Sequence, residues 1–533
     1  MRHPVLLAAL AALAALAGFA LWPLGDERFA ISVDPGAARA KQTFLDEPAP
    51  ARSAPPNVVL IVADDLGKHD VSLYAPASVQ TPSLERIARE GVTFSAGYVT
   101  SPVCSPSRAA LLTGRYQQRF GVELLTHDRY PRNRLEAWVA KNFFSTHGWF
   151  AVDPPRVPLR RDIDRQGLPP GEITLAELLR RAGYATGIFG KWHLGWSDAA
   201  TPQQHGFDHQ YGFYDAFSLY ADPNDPDYVG VRGDYFADRW QWWTGRSGHC
   251  AIRRNGEVID ETGYLTDRIA EEASAWIVAN RERPFFAYVP FNAPHAPLQA
   301  PRAYVERFAS EPNPDRRVYL AMIAALDDAI GKILATLDET GVADRTLVIF
   351  TSDNGAATYT GVASNEPLRG GKLTNFEGGI NVPLVMRWPG RVPVNTTYRE
   401  PVSTLDLFAT IVAAAGATLP ADRSYDGVDL FPHLTGERPG SPHGALFWRA
   451  GEHRGIRTGS WKLISDTRTG AQVLFDLTQD PSETTDVSGA QPAVVEDLEA
   501  RLRTWESKLV TPLWPNVMEY RFQQDGREFV FPL

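Results

Sequence analysis

The chain has 533 residues, of which 44% are hydrophobic and 22% are charged. This composition excludes a disordered, collagen-like or multi-span membrane protein, and the length suffices for one large domain and a smaller one. A net charge of −10 argues against general nucleic-acid binding, which normally requires a basic surface. Two cysteines, Cys104 and Cys250, can form at most one disulfide, so stability must come from a hydrophobic core.

The N-terminus has the pattern of a targeting segment. Arg2 and His3 precede an uncharged run, 5–22, that is mostly alanine and leucine. We expect residues 1–25 to be a cleaved signal peptide or, alternatively, a retained membrane anchor, and the folded part to be periplasmic or secreted. Residues 26–55 are rich in alanine, proline and charge and are interpreted as a linker.

Beyond residue 56, apolar runs alternate with segments of helical periodicity. Continuous apolar runs indicate strands buried on both faces, and apolar spacings of three and four indicate helices. Alternation of the two predicts an α/β domain over 56–440, with a large central, mostly parallel sheet flanked by helices. The predicted strands are Asn57–Ala63, Ala185–Phe189, Pro284–Pro290 and Thr346–Thr351, and the predicted helices are Pro82–Glu90, Thr174–Ala182, Leu265–Asn280 and Val318–Leu337.

The pattern changes after residue 440. Short strand-like pieces separated by turns predict a small antiparallel sheet, and Pro492–Leu509 predicts a helix after it. We therefore expect a smaller C-terminal domain at 441–533. Its predicted strands are Gly444–Arg449, His453–Thr458, Ser460–Ile464 and Ala471–Asp476.

Four of the predicted strands are followed by polar residues. Because ligands bind at the carboxyl edge of open α/β sheets, we expect these residues to share a site. Asp64 and Asp65 end one strand, while Asp353 and Asn354 end another. This all-oxygen set suits Ca²⁺ or Mg²⁺, and the alternative is that both pairs only begin turns.

Cationic and imidazole groups follow the same pattern. Lys191 and His193 come after a strand, His295 lies between two prolines, and Lys372 ends a glycine-rich loop with Arg369. Together with a divalent cation they would bind a tetrahedral anion. The alternative interpretation is an exposed turn, a rigid surface loop and a solvated lysine.

Cys104 precedes the apolar helical stretch Ala109–Leu112. A helix N-terminus favours negative charge, so it would activate a thiolate and attract an anion. The residues alone leave Cys104 open as a nucleophile or as a structural cysteine near a turn. Cys250 is interpreted as a plain buried thiol.

The motifs together resemble the formylglycine-dependent sulfatases of the alkaline phosphatase superfamily, of the arylsulfatase and glycosaminoglycan-sulfatase type. Cys104-Ser-Pro-Ser-Arg108 followed by Leu112-Thr-Gly-Arg115 is similar to the signature of that family. The other matching motifs fall in the family's order over residues 56–485, namely Val62-Ala-Asp-Asp65, Gly190-Lys-Trp-His193, Asn292-Ala-Pro-His295, Ser352-Asp-Asn-Gly355 and Arg369-Gly-Gly-Lys372.

The resemblance implies that a separate maturation enzyme oxidises Cys104 to formylglycine (3-oxoalanine). One hydroxyl of the hydrated aldehyde would attack sulfur, at a cost lowered by the metal and by Arg108. The second hydroxyl would allow the enzyme-bound ester to collapse and release sulfate.

The resemblance also implies roles for the surrounding residues. Lys191, Lys372 and His295 would hold sulfate oxygens, and His295 or Lys372 would protonate the leaving oxygen. His193 would help to take the proton from the second hydroxyl. The metal ligands implied, for Ca²⁺ with Mg²⁺ as an alternative, are Asp64, Asp65, Cys104, Asp353 and Asn354.

The implied activity is hydrolysis of a small sulfated substrate, either an aryl sulfate or a sulfated carbohydrate. Alternatives are a phosphate or phosphonate ester hydrolase of the same superfamily, and a non-catalytic binder of sulfated glycans. Many sulfatases carry a small polar residue in the segment that matches Gly206–Ala216, but none stands out here. The aromatic segment Phe207–Trp243 is interpreted either as a sugar platform or as part of the core.

Overall fold

The computed structural model describes residues 3–29, 31, 34–47, 55–76, 79–127, 129–143, 148–152, 156–233 and 236–533. Arg2 and Tyr235 lie outside these ranges. Within them, no helix combines the length and the apolar character that crossing a membrane requires. The export and anchoring of residues 1–25 therefore stay predictions.

The helices are α1 (His3–Ala20), α2 (Pro35–Asp46), α3 (Pro82–Arg89), α4 (Cys104–Thr113), α5 (Arg134–Phe143), α6 (Arg160–Ile163), α7 (Leu175–Arg181), α8 (Phe236–Thr244), α9 (Leu265–Asn280), α10 (Arg302–Glu306), α11 (Pro314–Glu339), α12 (Glu377–Ile380), α13 (Thr404–Ala415), α14 (Phe431–Leu434) and α15 (Pro492–Glu506).

The strands are β1 (Gly25–Asp26), β2 (Asn57–Ala63), β3 (Val92–Phe94), β4 (Gly97–Tyr98), β5 (Trp149–Ala151), β6 (Val157–Pro158), β7 (Ala185–Lys191), β8 (His209–Phe213), β9 (Tyr228–Gly230), β10 (Arg253–Arg254), β11 (Glu257–Val258), β12 (Phe285–Pro290), β13 (Gln299–Pro301), β14 (Thr346–Ser352), β15 (Asn381–Val382), β16 (Leu384–Arg387), β17 (Thr396–Tyr398), β18 (Val402–Ser403), β19 (Leu446–Ala450), β20 (His453–Thr458), β21 (Trp461–Asp466), β22 (Ala471–Asp476), β23 (Met518–Gln524) and β24 (Arg527–Pro532).

A ten-stranded sheet forms the centre of the protein, in the order β11-β10-β8-β7-β12-β2-β14-β16-β3-β17. The five neighbours from β8 to β14 pair in parallel, and β16 and β10 add antiparallel pairings on either side. The predicted α/β class with a large, mostly parallel sheet is thus confirmed. Strands β7 and β14 run slightly further than predicted, so that Lys191 and Ser352 end them.

Burial on both faces explains why the central strands have continuous apolar sequences. Alternate residues of β2 point to opposite sides, because successive side chains of a strand alternate. Val59 and Ile61 pack against α3, α9 and α11, whereas Leu60 and Val62 pack against α4, α7 and α13. The sheet therefore lies between two helical layers, and its strand ends are left to carry polar groups.

Two predicted helix starts have different caps. Thr174 accepts a hydrogen bond from Glu177 N and forms a capping box with Glu177 at the start of α7. Thr81 occupies the N-cap position of α3, but its hydroxyl pairs with Ser72 instead of capping the helix. Asp327 of α11 replaces that cap, since its carboxylate accepts from the backbone N–H groups of Ser83 and Leu84 at 2.9 and 3.0 Å.

The predicted linker contains an ordered helix, α2, which begins at an Asp34 N-cap. Lys41 of α2 is buried, lies 2.6 Å from Glu177 and donates to Glu172 O at 2.8 Å. This half of the 26–55 segment therefore packs on the α/β domain. Local capping and one buried ion pair stabilise it, and neither is visible in the composition that suggested a linker.

The C-terminal part forms the predicted antiparallel sheet, in the order β19-β20-β21-β22, followed by α15. Its core residues Ile456, Leu463 and Leu502 pack with Ala110 of α4. The small sheet thus rests on the helix that begins at Cys104. The division of the chain at residue 441 stays a prediction.

The capping of α3 by Asp327 of α11 leads to a prediction about stability. Asp327 is 1% exposed, so Asp327→Ala would leave two backbone donors without an acceptor, which costs about 1–3 kcal/mol. The neighbouring Asp328 is half exposed, so Asp328→Ala should cost at most about 1 kcal/mol. Denaturant unfolding of both variants measures the difference, and equal losses would contradict the capping role.

Candidate active site

The polar residues that follow the central strands meet at one edge of the sheet. Ala63 of β2 pairs with Ser352 of β14, so the two strands end level. Asp64 N donates to Ala293 O at 3.1 Å, and Asp353 N donates to Ala63 O at 3.1 Å. The expected convergence of strand-end residues is therefore what the fold produces.

One half of the site is built around Asp64. Lys191 Nζ donates to Asp64 Oδ2 at 2.7 Å, and Arg108 lies 3.6 Å from the same oxygen. Arg108 Nε also donates to Asp353 Oδ2 at 2.8 Å, and Arg108 Nη2 lies 2.7 Å from the same oxygen. All four side chains are buried. Burial raises the pKa of Asp353, and Arg108 opposes this shift.

The other half is built around Asp65, whose backbone has a positive φ of 61°. Lys372 Nζ contacts both carboxylate oxygens at 2.8 and 2.9 Å, Asn354 Nδ2 donates to Oδ1 at 2.7 Å, and His295 Nε2 lies 3.7 Å from Oδ2. Burial raises the pKa of Asp65, but Lys372 and His295 outweigh it and bring the pKa to about 2. Left-handed backbone at a non-glycine residue is costly and typical of functional sites.

Cys104 lies between these halves, as the first residue of α4. Its Sγ donates to Asp64 Oδ1 at 3.5 Å and accepts from Lys372 Nζ at 3.4 Å. Burial raises the pKa of the Cys104 thiol well above its ordinary value, although Lys191 and Lys372 oppose the shift. Cys104 thus begins a helix, as its motif predicts, and its role as the precursor of the nucleophile stays a prediction. Cys250 is buried and is not bonded to Cys104.

Two histidines have tautomers fixed by carbonyl groups. His193 Nε2 donates to Thr126 O at 3.1 Å, and within the described ranges its buried Nδ1 has no partner. His295 Nδ1 donates to Ala296 O, which leaves Nε2 facing Asp65. A carbonyl can only accept, so each remaining ring nitrogen carries a lone pair when the ring is neutral. Burial lowers the pKa of both histidines, that of His295 to about 3.

The alternative interpretation, in which these residues form an exposed turn, a rigid surface loop and a solvated lysine, is wrong. Lys191, His193, His295 and Lys372 are all buried.

A divalent cation fits this donor set. Asp64, Asp65, Cys104 and His295 offer ligand atoms that lie within 4.8 Å of one another. Asn354 Oδ1 is buried and has no partner among the described residues, and Asp353 Oδ1 accepts from the backbone N–H of Asp65 at 3.3 Å. Carboxylate and amide oxygens that are buried and incompletely paired are the ligands that hard cations prefer.

The loop that carries Lys372 is packed backbone against backbone. A Cβ on Gly379 would lie 2.1 Å from Thr374 O, and a Cβ on Gly355 would lie 1.7 Å from Gly378 O. Glycine is therefore required at both positions, which fixes Lys372 beside Asn354.

The sequence analysis missed the group that holds this loop, a buried cluster of Glu377, Lys462 and Glu483. Lys462 Nζ lies 2.8 Å from an oxygen of each glutamate. Glu483 accepts from Glu377 N at 2.7 Å, and its backbone carbonyl accepts from Arg369. The C-terminal sheet thus fixes both ends of the Lys372 loop. These residues differ from other charged residues only in being buried, and burial cannot be read directly from the sequence.

Tyr220 is a second residue that sequence reasoning did not single out. Its hydroxyl donates to the backbone carbonyls of Asn292 and His295, the latter at 2.8 Å. The segment Gly206–Ala216 contributes backbone rather than a small polar side chain, because Tyr214 O accepts from His193 N at 3.1 Å. The core interpretation holds for part of the aromatic segment, and the sugar platform stays a prediction. Its first half (Tyr211, Phe213, Tyr214 and Tyr220) is core, whereas Trp243 is 78% exposed.

The site combines buried carboxylates, which suit a cation, with buried cations, which suit an anion, as an enzyme that hydrolyses esters of tetrahedral oxyanions requires. Residues 56–417 match the family model described as Sulfatase, and residues 371–508 match the one described as N-sulphoglucosamine sulphohydrolase, C-terminal. The chain belongs to the sulfatase family and is a sulfuric-ester hydrolase.

Curated relatives and solved structures agree with this assignment. The chain is 35% identical to the dog N-acetylgalactosamine-6-sulfatase, over 72% of this chain and 66% of that protein. It is 32% identical to the mouse steryl-sulfatase, over 87% of this chain and 84% of that protein. The crystal structure of Ps i-CgsB in complex with k-i-k-neocarrahexaose is 31% identical, with a TM-score of 0.71, over 86% of this chain and 94% of the other.

The buried cluster beneath the Lys372 loop generates a prediction. Lys462→Met would leave two buried carboxylates without their cation, which should cost about 3–5 kcal/mol of unfolding free energy. Lys332→Met removes an exposed partner of Glu271, and should cost at most about 1 kcal/mol. Denaturant unfolding compares them, and an equally small loss in both would contradict the structural role of Lys462.

Proposed function

We propose that this sulfatase hydrolyses an aryl or carbohydrate sulfate with a formylglycine made from Cys104 and a Ca²⁺ or Mg²⁺ ion. The observation that carries the proposal is the position of Cys104. Its Sγ lies 3.5 Å from Asp64 Oδ1 and 3.4 Å from Lys372 Nζ. Cys104 therefore faces a carboxylate suited to binding a metal ion and an ammonium group suited to binding an anionic substrate. A maturation enzyme would have to act on Cys104 before folding, because the side chain is 1% exposed.

Asp64, Asp65, Asp353 and Asn354 would hold the ion, with the substituent of residue 104 as a further ligand. When bound, the ion supplies positive charge at a sulfate oxygen and at the nucleophile. Its binding would compete with Lys191 for Asp64 and with Lys372 for Asp65. The two lysines would then be available to hold the sulfate oxygens of the substrate.

The remaining residues would orient the reaction and move protons. Arg108 stays fixed by Asp353 and places positive charge beside residue 104. His295 Nε2 and Lys372 Nζ both face the region above Asp65, and one of them would protonate the leaving alcohol. Lys372 carries a proton, whereas His295 Nε2 would first have to gain one, which the negative charge of a bound sulfate favours. His193, whose Nδ1 carries a lone pair, is suited to accept a proton from the hydrated aldehyde.

Two further expectations belong to this proposal. The apolar segment 5–22 supports export, with residues 1–25 as a signal peptide or anchor. A sulfated carbohydrate is supported as substrate by the names of the N-acetylgalactosamine-6-sulfatases and by the neocarrahexaose complex.

Substitution of the two cysteines tests the nucleophile. After co-expression with a maturation enzyme, Cys104→Ala should lower turnover of an aryl sulfate by at least about a thousandfold, as loss of a nucleophile does. Cys250→Ala, also at a buried cysteine, should keep the activity. The wild-type peptide containing Cys104 should show loss of sulfur and gain of a carbonyl by mass spectrometry.

An unmodified thiol at residue 104 in a fully active enzyme would overturn the proposed chemistry. Matching aryl phosphate mono- and diesters should be poorer substrates than the aryl sulfate. Faster turnover of either would favour the phosphate-ester alternative.

A further inference from the structure

The loop that carries His295 joins β12 to β13 and spans residues 291–298. Pro294 and Pro297 have no backbone N–H, so the loop has fewer donors of its own than other segments of this length. His295 N donates to Asn292 O at 2.9 Å and closes a turn within the loop. Further support for the position of His295 comes from outside the loop.

Tyr220 supplies this support at both ends of the loop. Its hydroxyl donates to Asn292 O near the start of the loop, and to His295 O at 2.8 Å. Its backbone N–H donates to Gln299 Oε1 at 2.9 Å, directly after the last residue of the loop. Burial raises the pKa of Tyr220 well above its ordinary value, so the hydroxyl keeps its proton and acts as a donor.

Tyr220 is itself fixed before any substrate binds. The residue is fully buried, and its carbonyl accepts from Leu265 N and from Arg246 Nη2, both at 2.7 Å. Its ring stacks on that of Tyr264, with ring centres 5.7 Å apart and planes inclined by 26°. The hydroxyl therefore points at the loop from a rigid position, and little further conformational entropy is lost when it forms its hydrogen bonds.

The position of the His295 imidazole follows from these contacts. Its Nδ1 donates to Ala296 O, and its Nε2 lies 3.7 Å from Asp65 Oδ2. A carbonyl of the loop thus sets the direction of the ring, and the hydrogen bonds of Tyr220 set where the loop lies. Misplacement of a reacting group by about 1 Å can lower a rate about a hundredfold, so these hydrogen bonds bear on catalysis.

We propose that Tyr220 is a positioning residue, which holds His295 in the orientation in which Nε2 faces the leaving oxygen of the bound sulfate ester. Tyr220 acts through the backbone of the loop and does not contact the substrate. The inference rests on the proposed function and selects His295 rather than Lys372 as the proton donor. As the nucleophile bonds to sulfur, the electron pair of the breaking S–O bond stays on the leaving oxygen, which takes the proton from Nε2.

Aryl sulfates that differ in their leaving group test this role. Phenolate is a stronger base than 4-nitrophenolate and depends more on a proton donor, whose contribution is about a hundredfold or more. We expect Tyr220→Phe to lower kcat/KM for phenyl sulfate about tenfold more than for 4-nitrophenyl sulfate. Tyr264→Phe, the matched control, removes a buried hydroxyl that donates to Gln299 O at 3.0 Å, and it should affect both substrates equally.

A double-mutant cycle with His295→Ala shows whether Tyr220 acts through that ring. For the substrate with the most basic leaving group that the enzyme accepts, Tyr220→Phe should have almost no further effect in the His295→Ala background. Gln299→Leu releases the backbone of Tyr220 but keeps its hydroxyl, so it should change the same substrate ratio by a smaller factor. This variant supplies the result if Tyr220→Phe does not fold.

The two levels of the account fail differently. An active enzyme in which Tyr220→Phe or Gln299→Leu lowers both substrates by the same factor would overturn the positioning role and leave the proposed function intact. Full additivity of Tyr220→Phe and His295→Ala would do the same. A matured wild-type enzyme that hydrolyses no sulfate ester would overturn the proposed function itself.

Discussion

Mutual compensation of buried charges is the constraint on which this site depends. The carboxylates of Asp64, Asp65 and Asp353 face the cations of Arg108, Lys191 and Lys372, and all six are buried. Isolated charges at such depth would be prohibitively costly, so each group needs its partners. Because the three carboxylates and three cations compensate one another, the cations attract a further anion only weakly. A divalent cation bound to the carboxylates would restore that attraction, so metal binding would strengthen sulfate binding.

The fold supplies the geometry that this balance requires. Parallel strands that end level place Asp64 beside Asp353, and the register of β2 with β14 fixes that alignment. The Lys372 loop closes the site from above because its glycines allow backbone contacts and because Lys462 holds Glu377 and Glu483 beneath it. The small C-terminal sheet is therefore part of the active-site support, since it rests on α4 and holds the loop opposite Cys104.

Sequence reasoning reaches the fold and the site residues by different routes. Continuous apolar runs predict the central strands nearly to the residue, because burial on both faces leaves little freedom in composition. The strand-end rule and the family resemblance bring Asp64, Lys191, His295 and Asp353 to one edge, where the structure places them. Local sequence patterns cannot show contacts between residues that lie far apart in the chain. The cap of α3 by Asp327, the packing of α2 on Glu177 and the Lys462 cluster all join residues that are distant in sequence, and the raised pKa of Cys104 follows from burial that its motif does not reveal.

Calorimetric titration of inorganic sulfate into the unmatured protein, with and without Ca²⁺, tests the linkage between metal and anion most directly. The account predicts measurable sulfate binding with Ca²⁺ and at least about tenfold weaker binding in chelator, since a nearby divalent charge contributes that much even with solvent screening. By the same linkage, sulfate should tighten Ca²⁺ binding by an equal factor. Equal sulfate affinity in both buffers would contradict the claim that a cation on Asp64 and Asp65 is what turns the buried lysines toward the substrate.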